Sequence, residues 1–447
     1  TDVFNGFFMR FRLPSALQQM FFYGLGLILM KGISLIMLPV FTRYLSPAEY
    51  GQLEVLLALV NIGTLLLGLG LVDALYRFAG LADSEATRQQ AAGVLFTQTL
   101  LIALIGLLLL MPFAEQIAHW LPGNVTASLV RWTLLSVVLE GVIGIPLAWL
   151  RMQGMARFFF LCTAGRVVVQ ALFIWLSLRW GMGVEGVVMV GAITTFGQAL
   201  LMGGWQWHNT GLTWRMRGGM QYLRYGIPIL VSGLAGFAVA GLDRWWLAGA
   251  AGETELAYYA VAGKFALAAG LVLQPFALWW YPKRFQFLGE TGGLRKNADF
   301  AELGAALGYL LAGGVGLVAP YLILQLTPES YHPAIKLVPW LVAAMALKTQ
   351  SELMNVGCYS QRDSRLQMNI HLLCSAVGVL GYALLIPHFG VAGVIASQFV
   401  VNGLRATLFL YFSQKLLYLP YRWYGVVSAA IVMVVALWLG QSIHLFQ

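Results

Sequence analysis

The sequence predicts an all-α integral membrane protein, and three observations carry that reading. Of its residues 60% are hydrophobic and only 10% charged, where a soluble domain carries about a quarter charged residues. Runs of at least ~18 apolar residues, the length that crosses a ~30 Å hydrocarbon core, recur along the whole 447-residue chain. The runs are continuous and lack the period-2 alternation of barrel strands, and only helices or closed barrels satisfy their backbone in lipid.

Thirteen spans follow in order, at about 15–42, 50–78, 90–112, 127–150, 157–179, 184–206, 222–248, 255–281, 299–324, 333–357, 367–387, 391–413 and 423–443. Pro39, Pro228, Pro275 and Pro339 lie inside them, together with many of the 50 glycines. Membrane helices tolerate both residues, as bends and as sites of close packing. The last span either stands alone or pairs with a fourteenth beyond Gln447. Thr1–Pro14 is short, carries two arginines and runs into the first span, so it does not read as a cleavable signal.

Lys and Arg outside the spans orient them. Alternate segments, counted from the N-terminus, hold 17 of the 27 basic residues, from Arg10 and Arg12 to Lys415 and Arg422. The opposite set holds Arg43, Arg179, Arg244 and Lys336. This bias predicts a cytoplasmic N-terminus and an unbroken alternation of spans. The net charge of +9 therefore reads as topology and not as nucleic-acid binding, which would need a soluble basic face.

Several chemistries are excluded by what the spans leave over. Cys162, Cys358 and Cys374 form no pair or ligand cluster in sequence, so no disulfide framework, metal site or cofactor is expected. The longest outward loop, near 112–126, is too short for the lid a membrane glycosyltransferase or polymerase needs to hold its acceptor and a catalytic carboxylate. No P-loop and no Ser or Cys nucleophile with a His and Asp is present. Transport without bond chemistry remains. The Trp-rich span ends read as interfacial belts.

An internal repeat supports transport. Tyr23-Gly24 opens span 1, which ends in Thr42-Arg43-Tyr44-Leu45; Tyr225-Gly226 opens span 7, which ends in Asp243-Arg244-Trp245-Trp246-Leu247. Both copies start on the same side, which predicts two parallel six-helix lobes, a common transporter plan. The expected division is an N-terminal lobe 1–206, a cytoplasmic linker 207–221, a C-terminal lobe 222–418 and an extra span in 419–447.

Six basic residues fall inside spans: Lys31, Arg131, Arg166, Lys264, Lys348 and Arg405. A cation at membrane depth costs several kcal/mol, so it is kept where it meets water, a partner or an anionic ligand. Arg131 lies near a span end, where snorkelling explains it. Among the acids, Glu352 is four residues from Lys348 and Asp73 four from Arg77, spacings that bring each pair to one helix face. Glu140 has no charged neighbour in sequence and is the leading candidate for proton coupling.

The run Leu38-Pro39-Val40-Phe41-Thr42-Arg43-Tyr44-Leu45-Ser46-Pro47-Ala48-Glu49-Tyr50-Gly51 resembles the opening signature of Wzx-type polysaccharide transporters. These flippases belong to the multidrug/oligosaccharidyl-lipid/polysaccharide exporter superfamily. Gly68 to Phe78, Gly226-Ile227-Pro228 through Asp243-Arg244, and Ile386-Pro387-His388-Phe389-Gly390-Val391-Ala392-Gly393-Val394 extend the resemblance over nearly the whole chain. The thirteenth span departs from the usual 12 or 14.

The resemblance implies two lobes around a central cavity and translocation of an undecaprenyl-diphosphate-linked oligosaccharide across the bacterial inner membrane. Such a step serves O-antigen, capsule or exopolysaccharide synthesis, alongside a polysaccharide polymerase and a chain-length regulator. An interior anion site fits a diphosphate, and Lys31, Arg166, Lys264, Lys348 and Arg405 are its expected contacts. Glu140, Asp243, Arg244, Asp73 and Glu352 are the candidates for ion coupling or gating, Asp243 and Arg244 because they match the family's span-7 motif. A multidrug exporter of the same superfamily is the rival, and it predicts an acidic cavity. A membrane polymerase or glycosyltransferase is the third reading.

Overall fold

A computed structural model describes residues 32–213, 219–360 and 365–443. Among the described residues the regular elements are all helical. In chain order they are α1 (Leu38–Tyr44), α2 (Pro47–Gly68), α3 (Leu71–Gly80), α4 (Glu85–Leu110), α5 (Ala114–Trp120), α6 (Ala127–Met152), α7 (Ala156–Arg179), α8 (Gly183–Thr210), α9 (Gly219–Ala240), α10 (Leu242–Ala251), α11 (Glu253–Val272), α12 (Gln274–Phe287) and α13 (Gly293–Leu326). A 3-10 segment, Glu329–Leu337, then leads into α14 (Val338–Leu353), α15 (Val356–Tyr359), α16 (Arg365–Phe389), α17 (Val391–Leu416) and α18 (Tyr424–Ile443).

Among the described residues 11 helical stretches are long and apolar enough to cross a membrane, so the chain is a multi-pass membrane protein. Their outer faces agree. Leu104, Ile105, Leu108 and Leu109 share one side of α4 and are each more than half exposed. In water such a stripe would demand a partner; lipid tails cover it without one.

Eleven of the thirteen expected spans correspond to these stretches. The first lies mostly outside the described residues, which contain only its short end, Gly32–Tyr44. The tenth differs. It is divided into the 3-10 segment, the 16-residue α14 and the four-residue α15. Sixteen residues rise about 24 Å, short of the hydrocarbon thickness. Pro333 and Pro339 account for the first break, because neither supplies an amide donor and each restricts the residue before it; the second falls at Met354–Asn355.

By internal contacts the chain forms two compact units. Unit 1 comprises the described parts of residues 1–37, 63–117 and 126–231; unit 2 comprises 38–62, 118–125 and the described parts of 232–447. The chain changes unit within α2, α5 and α9, and also between residues 37 and 38 and between 125 and 126.

In unit 1, α4, α6 and α8 pack around Phe96, Ile143, Ile145 and Trp149. Between α2 and α3 the backbone turns left-handed, with φ of 46° at Leu69 and 66° at Gly70. A Cβ on Gly226 would stand 2.0 Å from the Leu69 carbonyl oxygen, and one on Gly70 would stand 2.8 Å from the Gly226 Cα. Backbone therefore meets backbone, and glycine is the residue that fits both positions.

Unit 2 explains much of the opening signature. Ser46 and Glu49 form a capping box at the start of α2: the Ser46 amide donates to Glu49 Oε2 at 2.8 Å, and the Glu49 amide to Ser46 Oγ at 3.3 Å. Tyr50 is buried edge-on against Tyr331, whose hydroxyl donates to the Leu45 carbonyl at 2.8 Å. A Cβ on Gly51 would stand 1.9 Å from the Glu253 carbonyl oxygen. At the far end of the chain, α18 packs along α13, where Gly440 meets the Gly316 backbone.

Candidate functional site

Polar interiors in both units contain charged side chains that the spans carry. In unit 1, α6 supplies Glu140, α7 supplies Arg166 and α8 supplies Gln198. Arg166 Nη2 donates to Glu140 Oε1, and Arg166 Nη1 donates to Gln198 Oε1 at 2.7 Å. Gln198 Nε2 donates in turn to the Cys162 carbonyl at 3.3 Å. The third donor of the guanidinium, Nε, is buried without a hydrogen-bond partner. Charge here balances: one cation against one carboxylate.

Unit 2 holds a larger network with a different balance. Arg244 Nε donates to Glu54 Oε2 at 3.1 Å, and Arg244 Nη1 lies 3.8 Å from Asp243 Oδ1. The Tyr259 hydroxyl donates to Asp243 Oδ2 and accepts from Gln398 Nε2 at 2.6 Å. Asp243 is 2% exposed and Glu54 5%, so two buried carboxylates share one guanidinium. Such charges are tolerated at depth because they are paired and hydrogen-bonded.

Arg405 of α17 is the contrasting case. It is half-buried, its Nε is buried without a hydrogen-bond partner, and among the described residues no carboxylate forms an ion pair with it. Its neighbours are Cys374 and His371 of α16. A guanidinium presents planar paired donors that suit a phosphate or carboxylate, and this one has room in its bonding for such an anion.

The other expected residues fall as follows. Lys31 lies outside the described residues. Lys264 is half-buried on α11 and Lys348 half-buried on α14. The i,i+4 spacing of Lys348 and Glu352 does not produce an ion pair; Glu352 is exposed. Asp73 and Arg77 do not pair either. Asp73 is exposed, and the Arg77 guanidinium lies 4.8 Å above the Tyr225 ring instead. In both cases the side chains turn to different surroundings although the backbone puts them on one face.

Sequence reading missed several participants. Glu54, Gln198, Tyr259 and Gln398 are polar residues inside spans, and that was the available signal, but their partners lie up to 190 residues away. Arg284, one of the 17 basic residues of the alternate segments outside the spans, is only 7% exposed. Its Nη1 donates to Asn355 Oδ1 at 2.9 Å, and its guanidinium lies 4.9 Å from the Tyr281 and Phe285 rings. Burial pushes its pKa down from the ordinary arginine value.

Comparison with known proteins places this fold. The chain is similar to the solved structure of the lipid II flippase MurJ in its inward closed conformation, with a TM-score of 0.68 and 11% identity over 96% of this chain and 98% of that one. It is also similar to a MOP superfamily transporter from Pyrococcus furiosus, with a TM-score of 0.55 and 15% identity over 88% and 94% of the two chains. The MATE multidrug transporter DinF-BH gives 0.58 and 15% over 89% and 96%. No curated protein sequence matches. The fold is thus that of the MOP superfamily transporters. The family model described as polysaccharide biosynthesis protein matches residues 40–275, more than half of the chain, and the chain belongs to that family.

Proposed function

We propose that this protein is a flippase for a lipid-linked oligosaccharide. It carries an undecaprenyl-diphosphate-linked glycan from the cytoplasmic to the outer leaflet of the bacterial inner membrane, by alternating access between two six-helix lobes. O-antigen, capsule or exopolysaccharide synthesis consumes the product through a polymerase and a chain-length regulator. The family assignment and the fold support a transporter in this pathway.

The observation that carries the reading is Arg405. Among the described residues no carboxylate pairs with it, and no amide or aromatic ring holds its guanidinium as Asn355, Tyr281 and Phe285 hold that of Arg284, which leaves it suited to an anion. A diphosphate faces a large desolvation cost in a low-dielectric slab, and fixed guanidinium donors offset it. The prenyl tail stays in lipid and needs no polar path. Lys31, Arg166, Lys264 and Lys348 extend the set of cationic contacts. Glu140, Asp73, Glu352 and the Asp243–Arg244 pair are the groups for ion coupling or gating.

The test is surface polysaccharide at equal protein level. A charge-assisted hydrogen bond contributes about 1.5–3 kcal/mol, so Arg405→Ala lowers flipping by roughly 10- to 100-fold. Arg405→Lys retains part of it. Normal surface polysaccharide in the Arg405→Ala variant would remove the headgroup assignment.

The two carboxylates around Arg244 are the one feature that favours a cation exporter. Uptake of an organic cation dye into vesicles, abolished by Asp243→Asn while surface polysaccharide is unchanged, would establish that second reading.

A further inference from the structure

We propose that Arg166 is a shared cation, exchanged between Glu140 and a phosphate group of the substrate, and that the exchange couples phosphate binding to proton uptake. The inference rests on the flippase reading for the source of the phosphate, and on unit 1 alone for its geometry.

In the structure Arg166 spends one Nη on Glu140 and the other on Gln198, while Nε has no partner. Gln198 is buried and itself anchored to the Cys162 carbonyl, so it fixes the guanidinium plane. Among the described residues Glu140 has no comparable anchor. Its one ion pair and one hydrogen bond are with Arg166, and its side chain is 28% exposed. A phosphate oxygen arriving at Nε and Nη2 would complete a two-point contact and displace Glu140.

A carboxylate deprived of its cation in a partly buried place gains affinity for a proton. Glu140 then takes one proton from water, forming a single O–H bond, and returns it when the phosphate leaves and the ion pair re-forms. Both side chains are partly exposed, Arg166 20% and Glu140 28%, which leaves them room to move.

Other groups do not compete for these roles. Ser136 on α6 and Gln170 on α7 lie nearby but are neutral. The remaining charges of the three helices, Arg131, Arg151, Arg157, Arg179, Glu185 and His208, lie toward helix ends, at least about 13 Å along the axis from the pair or from Gln198. Of the charges on the packed neighbours, Glu85 and Arg88 pair with each other, Arg77 lies over the Tyr225 ring, and Asp73 and Arg77 are exposed.

The test is calorimetric titration of the full chain in lipid nanodiscs with inorganic pyrophosphate and, separately, farnesyl diphosphate. Buffers of different ionisation enthalpy report the protons taken up. Wild type should take up about one proton more per diphosphate than Glu140→Gln, a difference that cancels the probe's own titration. Glu140→Gln, freed of the competing carboxylate, should bind roughly 5- to 20-fold more tightly near neutral pH. Arg166→Ala should lose binding; should it fail to fold, Arg166→Lys should bind more weakly than wild type.

Equal proton counts and equal affinities in wild type and Glu140→Gln would overturn the exchange, as would failure of both probes to bind wild type. Binding of both probes with the proton difference assigns the site to diphosphate alone; binding of farnesyl diphosphate only, with that difference, assigns it to a lipid headgroup. Both results support the exchange. Loss of the Arg405 headgroup assignment, shown by normal polysaccharide in Arg405→Ala, leaves the proton difference intact.

Discussion

Among the described residues unit 1 pairs its interior Arg166 with a carboxylate, while unit 2 leaves both Arg284 and Arg405 without one. Arg166 meets a carboxylate and an amide from two other helices. Arg405 meets a thiol and an imidazole neighbour, and no acid pairs with it among the described residues. Unit 2 nonetheless concentrates two buried carboxylates on Arg244. Placement of the acids, and not their supply, is what separates a structural arginine from one available to a ligand. Two buried acids gathered on one guanidinium tie that guanidinium to folding; under the proposed function, the guanidinium without an acid serves the anion.

The largest effect should come from Arg244. Removing it in Arg244→Ala leaves Glu54 and Asp243 buried without a cation, which costs about 3–5 kcal/mol. Thermal unfolding in detergent should show a large fall in midpoint or no folded protein. A variant as stable as wild type would break the comparison, because the network would then be ornamental.

Backbone seams come next, and they compare the units directly. Gly51→Ala in unit 2 and Gly226→Ala in unit 1 both place a Cβ against a carbonyl oxygen, at 1.9 and 2.0 Å. Neither oxygen belongs to a flexible side chain, so each variant should lose about 1–3 kcal/mol. Similar losses would show that the opening signature and the Gly226-Ile227-Pro228 motif are both packing devices.

The arginines themselves should separate stability from transport. Arg166→Ala leaves Glu140 unpaired, but that side chain is 28% exposed and not fully buried, so the loss should be about 1–2 kcal/mol. Arg405→Ala abandons no acid and should cost under ~1 kcal/mol, while flipping falls far more. A large stability loss at Arg405 with flipping retained would reverse the roles assigned to the two sites.

How much of this was legible follows from what hydropathy can encode. Apolar runs locate the helices because burial in lipid is decided residue by residue along the chain. The Ser46 and Glu49 capping box is local and reads directly. Partnership across helices is not encoded that way: Glu140 and Arg166 are 26 residues apart, and Glu54 and Arg244 190 apart. Their pairing depends on which face each helix turns inward, which the continuous apolar runs leave undetermined. The i,i+4 spacing of Lys348 and Glu352 places both on one face of α14, but it does not fix the direction each long side chain takes, and Glu352 is exposed. Arg284 sat beyond a span end by length, and only packing against Tyr281, Phe285 and Asn355 buries it.

The smallest effect belongs to Tyr331, in the 3-10 segment outside the spans. Burial, with Glu49 and Tyr258 adding to it, pushes its phenol well above the ordinary value. The folded state thus holds the proton more tightly than the unfolded chain. Its contribution is complete below the unfolded phenol value, about pH 10, and is lost as pH rises beyond it toward the folded value. At neutral pH Tyr331→Phe forfeits the hydrogen bond to the Leu45 carbonyl, roughly 1 kcal/mol. Above about pH 10 the unfolded wild-type chain gains by ionising Tyr331, and the variant escapes that penalty. The stability gap between the two proteins should therefore narrow on the alkaline side. A gap that stays constant to the most alkaline pH at which both remain folded would mean that the phenol of Tyr331 is solvated, and that the contact between the opening signature and this segment is looser than the Leu45 bond implies.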